Sequence, residues 1–342
     1  MEKKRDKTQD KKKNSRPGIV DIAKNVGVST ATVSRALGSK GRVSEKTRKK
    51  VLDKAKSLGY SPNINARNLI TKKPKALAFF YPSLIEGEPN YFIGEITLGI
   101  NEAATEKGLV AHMFPFHVHE ELRDVDFLRD SILNGGVSGI IVVEADKASD
   151  FLFETARSAG VPAVEISPGA KAKKDTVTFD IEKGAELAGK HLREIGAERP
   201  AYIAGIADAQ KRIGFSKGLG DLAKELIKDW GGSTFHDGAL AFERLDPENS
   251  GVDAVFCAND ILAMGFIRAA LTHGFDVPGD IAVVGCDDVR ISQYYYPALT
   301  TIRLNPIEIG RSSVEILETM VEGKKKNKGR HVECDLIVRE SA

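Results

Sequence analysis

The stretch that constrains this chain most is residues 19–69, which opens IVDIAKNVGVSTATVSRAL and closes YSPNINARNL. Ala23, Gly27 and Val33 stand at the spacing of a helix-turn-helix. A small residue lets two helices approach, a glycine supplies the tight turn, and an apolar residue lies on the buried face of the second helix. Ser29 is placed to cap that second helix, which leaves Thr30 and Ala31 at its leading end. A helix presented in this way fits the major groove of DNA. A third amphipathic helix is predicted over about 44–58, with Val51, Leu52, Ala55 and Leu58 on one face and Lys46, Arg48, Lys49, Lys50, Lys54 and Lys56 elsewhere.

Charge supports a nucleic-acid partner. The 342 residues carry 50 Lys+Arg against 48 Asp+Glu, but residues 1–75 hold 22 against 6, a net of +16. The remaining 267 hold 28 against 42, a net of −14, so one end alone is built for a polyanion. Residues 1–17 have almost no apolar side chain and are predicted to be a disordered basic tail. The length suggests two or three domains, and 42% hydrophobic residues suffice for a sizeable core. No apolar run reaches membrane-spanning length, and charges occupy the start where a signal peptide needs an apolar stretch, so a cytoplasmic protein with no membrane contact is expected.

Catalysis finds little support. Cys257, Cys286 and Cys334 are far apart, each beside a strand-like run, and are expected as buried reduced thiols without metal-ligand spacing. His117, His119 and Glu120 form an HxH stretch more typical of surface than of a metal site. There is no nucleophile–base set and no phosphate-cradling glycine loop, so no enzyme, metal or cofactor is expected.

After the polar linker Thr71-Lys72-Lys73-Pro74-Lys75 the pattern changes. Apolar runs of strand length (76–81, 109–114, 140–143, 161–166, 201–203, 254–256 and 281–284) alternate with helical patterns. Fully apolar strands between helices imply parallel sheets covered on both faces, here enough for two doubly wound lobes with a ligand cleft at the strands' carboxyl ends. Asn259-Asp260 follows one strand and Asp287 ends the next, both suited to the hydroxyls or amides of a small ligand. Asp260 could equally cap its helix, and Asp288 could serve the local turn.

From ATVSRAL, through Pro62-Asn63, to Leu69, the chain resembles the DNA-binding head of the LacI/GalR family of bacterial transcriptional regulators. The stretches 253–288, 297–317 and LIVRES at 336–341 resemble the effector-binding core that this family shares with periplasmic sugar-binding proteins. The resemblance implies an α/β fold: a helix-turn-helix head at 18–61, a hinge helix and linker at 62–75, and a two-lobed doubly wound parallel-sheet core at 76–342. Lobe 1 would take about 76–178 and 302–328, and lobe 2 about 179–301 and 329–342. Thr30, Ala31 and Arg35 fall at base-reading positions; an arginine that grips guanine O6 and N7 supplies about 1–3 kcal/mol of discrimination. Ser29, Thr32, Ser34 and Asn63 would meet phosphates. Leu69 matches the family's minor-groove wedge, which kinks the duplex by roughly 20–90°, with Ala66 permitting close pairing of two hinges. That arrangement requires a homodimer on a near-palindromic operator. Without a heptad extension after Arg339, a dimer is expected rather than a tetramer.

Tyr91, Phe92, Lys211, Asn259 and Asp287 match effector-binding positions. Several residues depart from the family pattern. Gly18 and Val20 replace a threonine cap and a polar residue; Lys211, in KRIGF, stands where an arginine is usual and lacks its bidentate fork. Ser138 and Ser167 stand where acidic residues are usual, and the stretch 205–253 is short. The expected function is a sequence-specific regulator of transcription, most often a repressor in this family, modulated by a sugar- or nucleoside-like metabolite. The alternative is a DNA-binding regulator whose ligand-free core serves only as a dimerisation scaffold.

Overall fold

The computed structural model describes residues 17–37, 43–60, 75–83, 90–117, 129–130, 132, 136–143, 147–205, 208–224, 226–230, 232–323 and 328–342. They form two compact units, 1–74 and 75–342.

The first unit is a three-helix head: α1 (Ile19–Val26), α2 (Thr30–Leu37) and α3 (Glu45–Ser57). Ile22 and Ala23 from α1, Val33 and Ala36 from α2, and Val51 and Ala55 from α3 close a small core. Each fully buried isoleucine or valine contributes about 1.5–3 kcal/mol. Gly27 ends α1 at φ 74°, in the left-handed region that a glycine enters without Cβ strain. At the other end of α1, Asp21 accepts a hydrogen bond from the Gly18 N–H at 2.8 Å, so the glycine still takes part in a cap. Leu52 does not share the buried face of α3. It is 47% exposed, because a residue next to Val51 is turned about 100° from it and only Ala55 and Leu58 return to the same side.

The second unit holds two six-stranded sheets. In chain order its elements are β1 (Ala76–Ser83), α4 (Tyr91–Glu106), β2 (Val110–His117), β3 (Ile140–Val143), α5 (Lys147–Ser158), β4 (Ala163–Pro168), β5 (Thr176–Phe179), α6 (Ile181–Glu194), β6 (Pro200–Ala204), α7 (Ala209–Leu219), β7 (Ile227–Trp230), α8 (Phe235–Leu245), β8 (Ala254–Cys257), α9 (Asp260–Thr272), β9 (Ala282–Asp287), β10 (Thr300–Arg303), α10 (Pro306–Val321), β11 (Arg330–Val332) and β12 (Asp335–Ile337). The first sheet runs β11-β5-β4-β3-β1-β2 and the second β12-β10-β9-β8-β6-β7. All pairings are parallel except β10 with β12. The central strands β5, β6 and β8 are buried along their whole length, as strands covered by helices on both faces must be.

The chain changes sheet after β5, after β10 and after β11. These crossings differ from the expected lobe boundaries by a few residues. Residues 302–303 belong to the second sheet because Ile302 and Arg303 pair with Cys286 and Asp287. Residues 330–332 belong to the first, where Arg330 pairs with Val177, rather than to lobe 2. Short strands two residues from a crossover carry no pattern that assigns them to one sheet or the other. Among the described residues, no helix is long and apolar enough to cross a membrane.

Candidate nucleic-acid interface and inter-lobe cleft

Helix α2 buries Val33 and Ala36, which turns Thr30, Ala31, Ser34 and Arg35 outward. Its N-terminus is capped by Ser29, whose Oγ accepts the Thr32 N–H at 3.1 Å and lies 2.9 Å from the half-buried Thr32 hydroxyl. Two of the three hydroxyls predicted to meet phosphates, Ser29 and Thr32, are therefore also the cap of the helix that would carry them. The other end of α2 is held from α3: Arg48 Nη1 donates to the Ala36 carbonyl at 3.0 Å. Last-turn carbonyls have no partner inside their own helix, and a cation there complements the helix dipole. The amphipathic pattern places Arg48 only off the apolar face, because nothing in that pattern marks which lysine or arginine folds back. Asn63, Ala66 and Leu69 lie outside the described residues.

In the second lobe the carboxyl ends of β6, β8 and β9 bring together Asp208, Lys211, Asn259, Asp260 and Asp287. Lys211 is half-buried and donates its ammonium to the Ala258 carbonyl. Burial disfavours its charge, but Cys286, Asp287, Asp208 and Asp260 outweigh that and raise its pKa above the ordinary lysine value. Asp208, which sequence reasoning missed, accepts from the Tyr202 hydroxyl and the Gly205 N–H. Burial, and then this carboxylate, push the Tyr202 hydroxyl far above its usual range.

Asn259 caps α9, accepting the Leu262 N–H at 2.8 Å, and its amide donates to the Ser233 carbonyl at 3.3 Å. Asp260 is fully buried and is not a cap. It accepts from the Val289 N–H at 2.9 Å, from Ser292 Oγ at 2.6 Å and from the Thr301 hydroxyl. Burial first, then the charge of Asp287, raise the Asp260 carboxyl, while those hydrogen bonds oppose the rise. Asp287 is half-buried at φ 118°. Burial raises its carboxyl too; Lys211 lowers it and Glu95, from the first lobe, raises it. Beside it, at φ 54°, Asp288 ion-pairs with Arg303 Nε and Arg339 Nη2, each at 2.6 Å.

The aromatic candidates sit in the first lobe. Tyr91 opens α4 and is 42% exposed. Phe92 is half-buried and packs against Phe179, ring centroids 5.7 Å apart. Ser138 donates its hydroxyl to the Ala76 carbonyl at 2.8 Å, and Ser167 is buried in β4. A hydrogen bond links the lobes across the cleft: the Arg290 N–H donates to Glu95 Oε1 at 3.0 Å. A shallow hollow near the crossover is lined by Gly169, Ala170, Asp180, Lys183 and Gln210 among others, and contains none of the predicted contact residues. The three cysteines are free and buried, and among the described residues no cluster of His, Cys, Asp and Glu could hold a metal ion. His119 and Glu120 lie outside the described residues.

Residues 18–63 match the model of bacterial regulatory proteins of the lacI family, and residues 189–342 match a periplasmic binding protein-like domain. The HTH-type transcriptional repressor PurR of Haemophilus influenzae (strain PittEE) is 29% identical over 334 residues, covering 94% of this chain and 98% of its own length. A probable HTH-type transcriptional repressor, ExuR of Bacillus subtilis (strain 168), is 31% identical over 301 residues, 85% of this chain and 87% of its own. Among solved structures, the lac repressor dimer bound to operator and an anti-inducer aligns with a TM-score of 0.80 at 25% identity, covering 96% of this chain and 99% of that one. A complex of the transcriptional regulator CelR with cellobiose aligns with a TM-score of 0.67 at 26% identity, covering 96% and 100%.

Proposed function

The chain belongs to the LacI family of bacterial regulatory proteins, and from that we propose that it represses transcription as a dimer on a near-palindromic operator, its hold on DNA set by a small sugar- or nucleoside-like metabolite. The observation that carries this reading is the outward face of α2, where Thr30, Ala31, Ser34 and Arg35 stand clear above buried Val33 and Ala36. Thr30, Ala31 and Arg35 would read base edges; Ser29, Thr32, Ser34 and Asn63 would fix register on phosphates. Leu69 and Ala66 would form the paired minor-groove wedge. Such a protein works in the compartment that holds its DNA, and it performs no catalysis. Dimerisation is favoured by an exposed apolar segment after β9, in which Tyr294 and Tyr296 are 79% and 80% exposed and Ile291 is 46% exposed.

The metabolite would lie between the lobes, against Lys211 and Asp287 on one side and Tyr91 and Phe92 on the other, with Asn259 beside them. Ligands of this kind occur in the cellobiose complex of CelR. A ligand that prefers one arrangement of the lobes shifts the protein toward it, and only that differential binding can change operator affinity. A second reading has its own support. The Asn259 amide is spent on the α9 cap and on Ser233, and the Lys211 ammonium on Ala258, which suits a ligand-free core acting as a scaffold.

Selection of bound DNA from a random library at fixed near-physiological salt tests the reading, with Arg35→Ala and Leu69→Ala alongside. A two-fold symmetric site that both variants hold at least ten-fold more weakly is the expected result. Sequence-indifferent, salt-sensitive binding would overturn it. Melting the protein with a panel of sugars and nucleosides separates the two cores, since a bound ligand must stabilise the folded state.

A further inference from the structure

Four consecutive residues after β9 are each tied to a different part of the molecule. Asp287 lies in the field of Lys211, Asp288 is held by Arg303 and Arg339, the Val289 N–H is accepted by Asp260, and the Arg290 N–H by Glu95. The first three anchors belong to the second lobe. Glu95 alone comes from the first lobe, on α4, one turn after Tyr91. The donor is a backbone N–H that no change of rotamer can move, so the 3.0 Å bond holds only while the lobes stay within reach of the Glu95 side chain. The turn it grips cannot follow Glu95 if the lobes part. Asp288 is locked by two ion pairs at 2.6 Å, and Val289 is fixed to a fully buried carboxylate. Glu95 is half-buried on a sixteen-residue helix, and its carboxylate spans from that helix to the backbone of the other lobe.

We infer that Glu95 is a latch between the lobes, a positioning residue whose hydrogen bond to the Arg290 backbone biases which lobe arrangement the regulator adopts, and so its operator affinity, without itself reading DNA. This rests on the proposal that lobe arrangement controls DNA binding; the bond itself does not. Coupling between distant sites is typically about 5–150-fold in affinity, and a single latch belongs at the lower end of that range.

The test uses the full chain, its selected operator, and the variants Glu95→Ala, which removes the acceptor, and Glu95→Gln, which keeps a side-chain oxygen to accept the same N–H. Hydrogen exchange at the Arg290 amide and operator affinity are read on each, with melting temperature as a check that the fold is intact. The expected result is faster exchange at Arg290 and a shift in operator affinity of roughly five-fold or more in the alanine variant, with both restored in the glutamine variant. The direction of the shift tells which lobe arrangement binds DNA. Unchanged exchange at Arg290 in Glu95→Ala overturns the latch outright. Faster exchange with unaltered operator affinity overturns its regulatory role. A wild-type chain that selects no specific DNA sinks the proposed function instead, and the exchange measurement still decides whether the latch exists.

Discussion

Asp287 and Asp288 occupy φ 118° and φ 54°, two successive non-glycine residues in a backbone region that costs on the order of 1–3 kcal/mol each. Such strain persists only where neighbours over-determine it, and the Arg303 and Arg339 clasp on Asp288 does so. Asp288→Ala would leave the half-buried Arg339 without its carboxylate. A loss of roughly 3 kcal/mol is expected, toward the low end for a broken buried pair because Arg303 is 40% exposed. The urea midpoint measures it; an unchanged midpoint would mean that the strain is held elsewhere. The raised carboxyls of Asp260 and Asp287 bind protons more tightly folded than unfolded. Their contribution to stability is therefore present at low pH and lost as pH climbs from the ordinary carboxylate range through the raised values. Asp287→Asn is expected to flatten that decline in unfolding free energy followed across pH. Burial also pushes the thiols of Cys257 and Cys286 well above their ordinary range, and that of Cys334 to about 11. All three should resist a thiol reagent until the protein unfolds; a fast-reacting thiol in the native protein would contradict their burial.

At the scale of elements, helices pack through glycines. A Cβ on Gly214 of α7 would lie 1.9 Å from the Glu182 carbonyl of α6, and one on Gly99 of α4 would lie 2.1 Å from the Ile307 carbonyl of α10. Gly214→Ala must push two helices apart and should cost about 1–3 kcal/mol in the core's denaturation midpoint. Gly27→Ala meets nothing within 4 Å and suffers only its φ of 74°, so the head should lose about 1 kcal/mol. If Gly214→Ala proved the milder change, the close approach of α6 and α7 would be in error. Helix periodicity marks which residues face inward but not how near the partner backbone comes, so this packing was invisible in the sequence. The helix-turn-helix itself was legible, because Ala23, Gly27, Ser29 and Val33 act within a dozen residues of one another, and each has the role its chemistry suggested. Leu52 was misplaced and Arg48 overlooked for the opposite reason, since both depend on what α3 packs against.

For the whole molecule, the net charge of +16 in the first 75 residues against −14 in the rest predicts operator binding that weakens steeply with salt. With six to ten phosphate contacts the loss between 50 and 200 mM salt is on the order of 10³-fold or more. A titration series over that range measures it, and a flat response would remove the basic head from the binding energy. Alternation of apolar strands with helices was enough to anticipate two parallel sheets, since strands covered on both faces leave that pattern in any order. The lobe boundaries, the antiparallel β12 and the assignment of β11 to the first sheet were not foreseeable, because three-residue strands carry too little pattern to choose a partner.

What the sequence determined by itself was local: helix caps and turns, the burial of periodic apolar residues, and a charge divided between the two ends of the chain. All of these act between residues close in the chain or through sums over long stretches. Which distant groups meet depends on the folded chain. Lys211 lies in the field of Asp208, Asp260 and Asp287, Asp288 is clasped by arginines 15 and 51 residues away, and Glu95 touches a backbone N–H 195 residues on. Hydrogen bonds and ion pairs act over a few ångströms, so their partners exist only once the chain has folded, and the chemistry of the cleft is set by those partners.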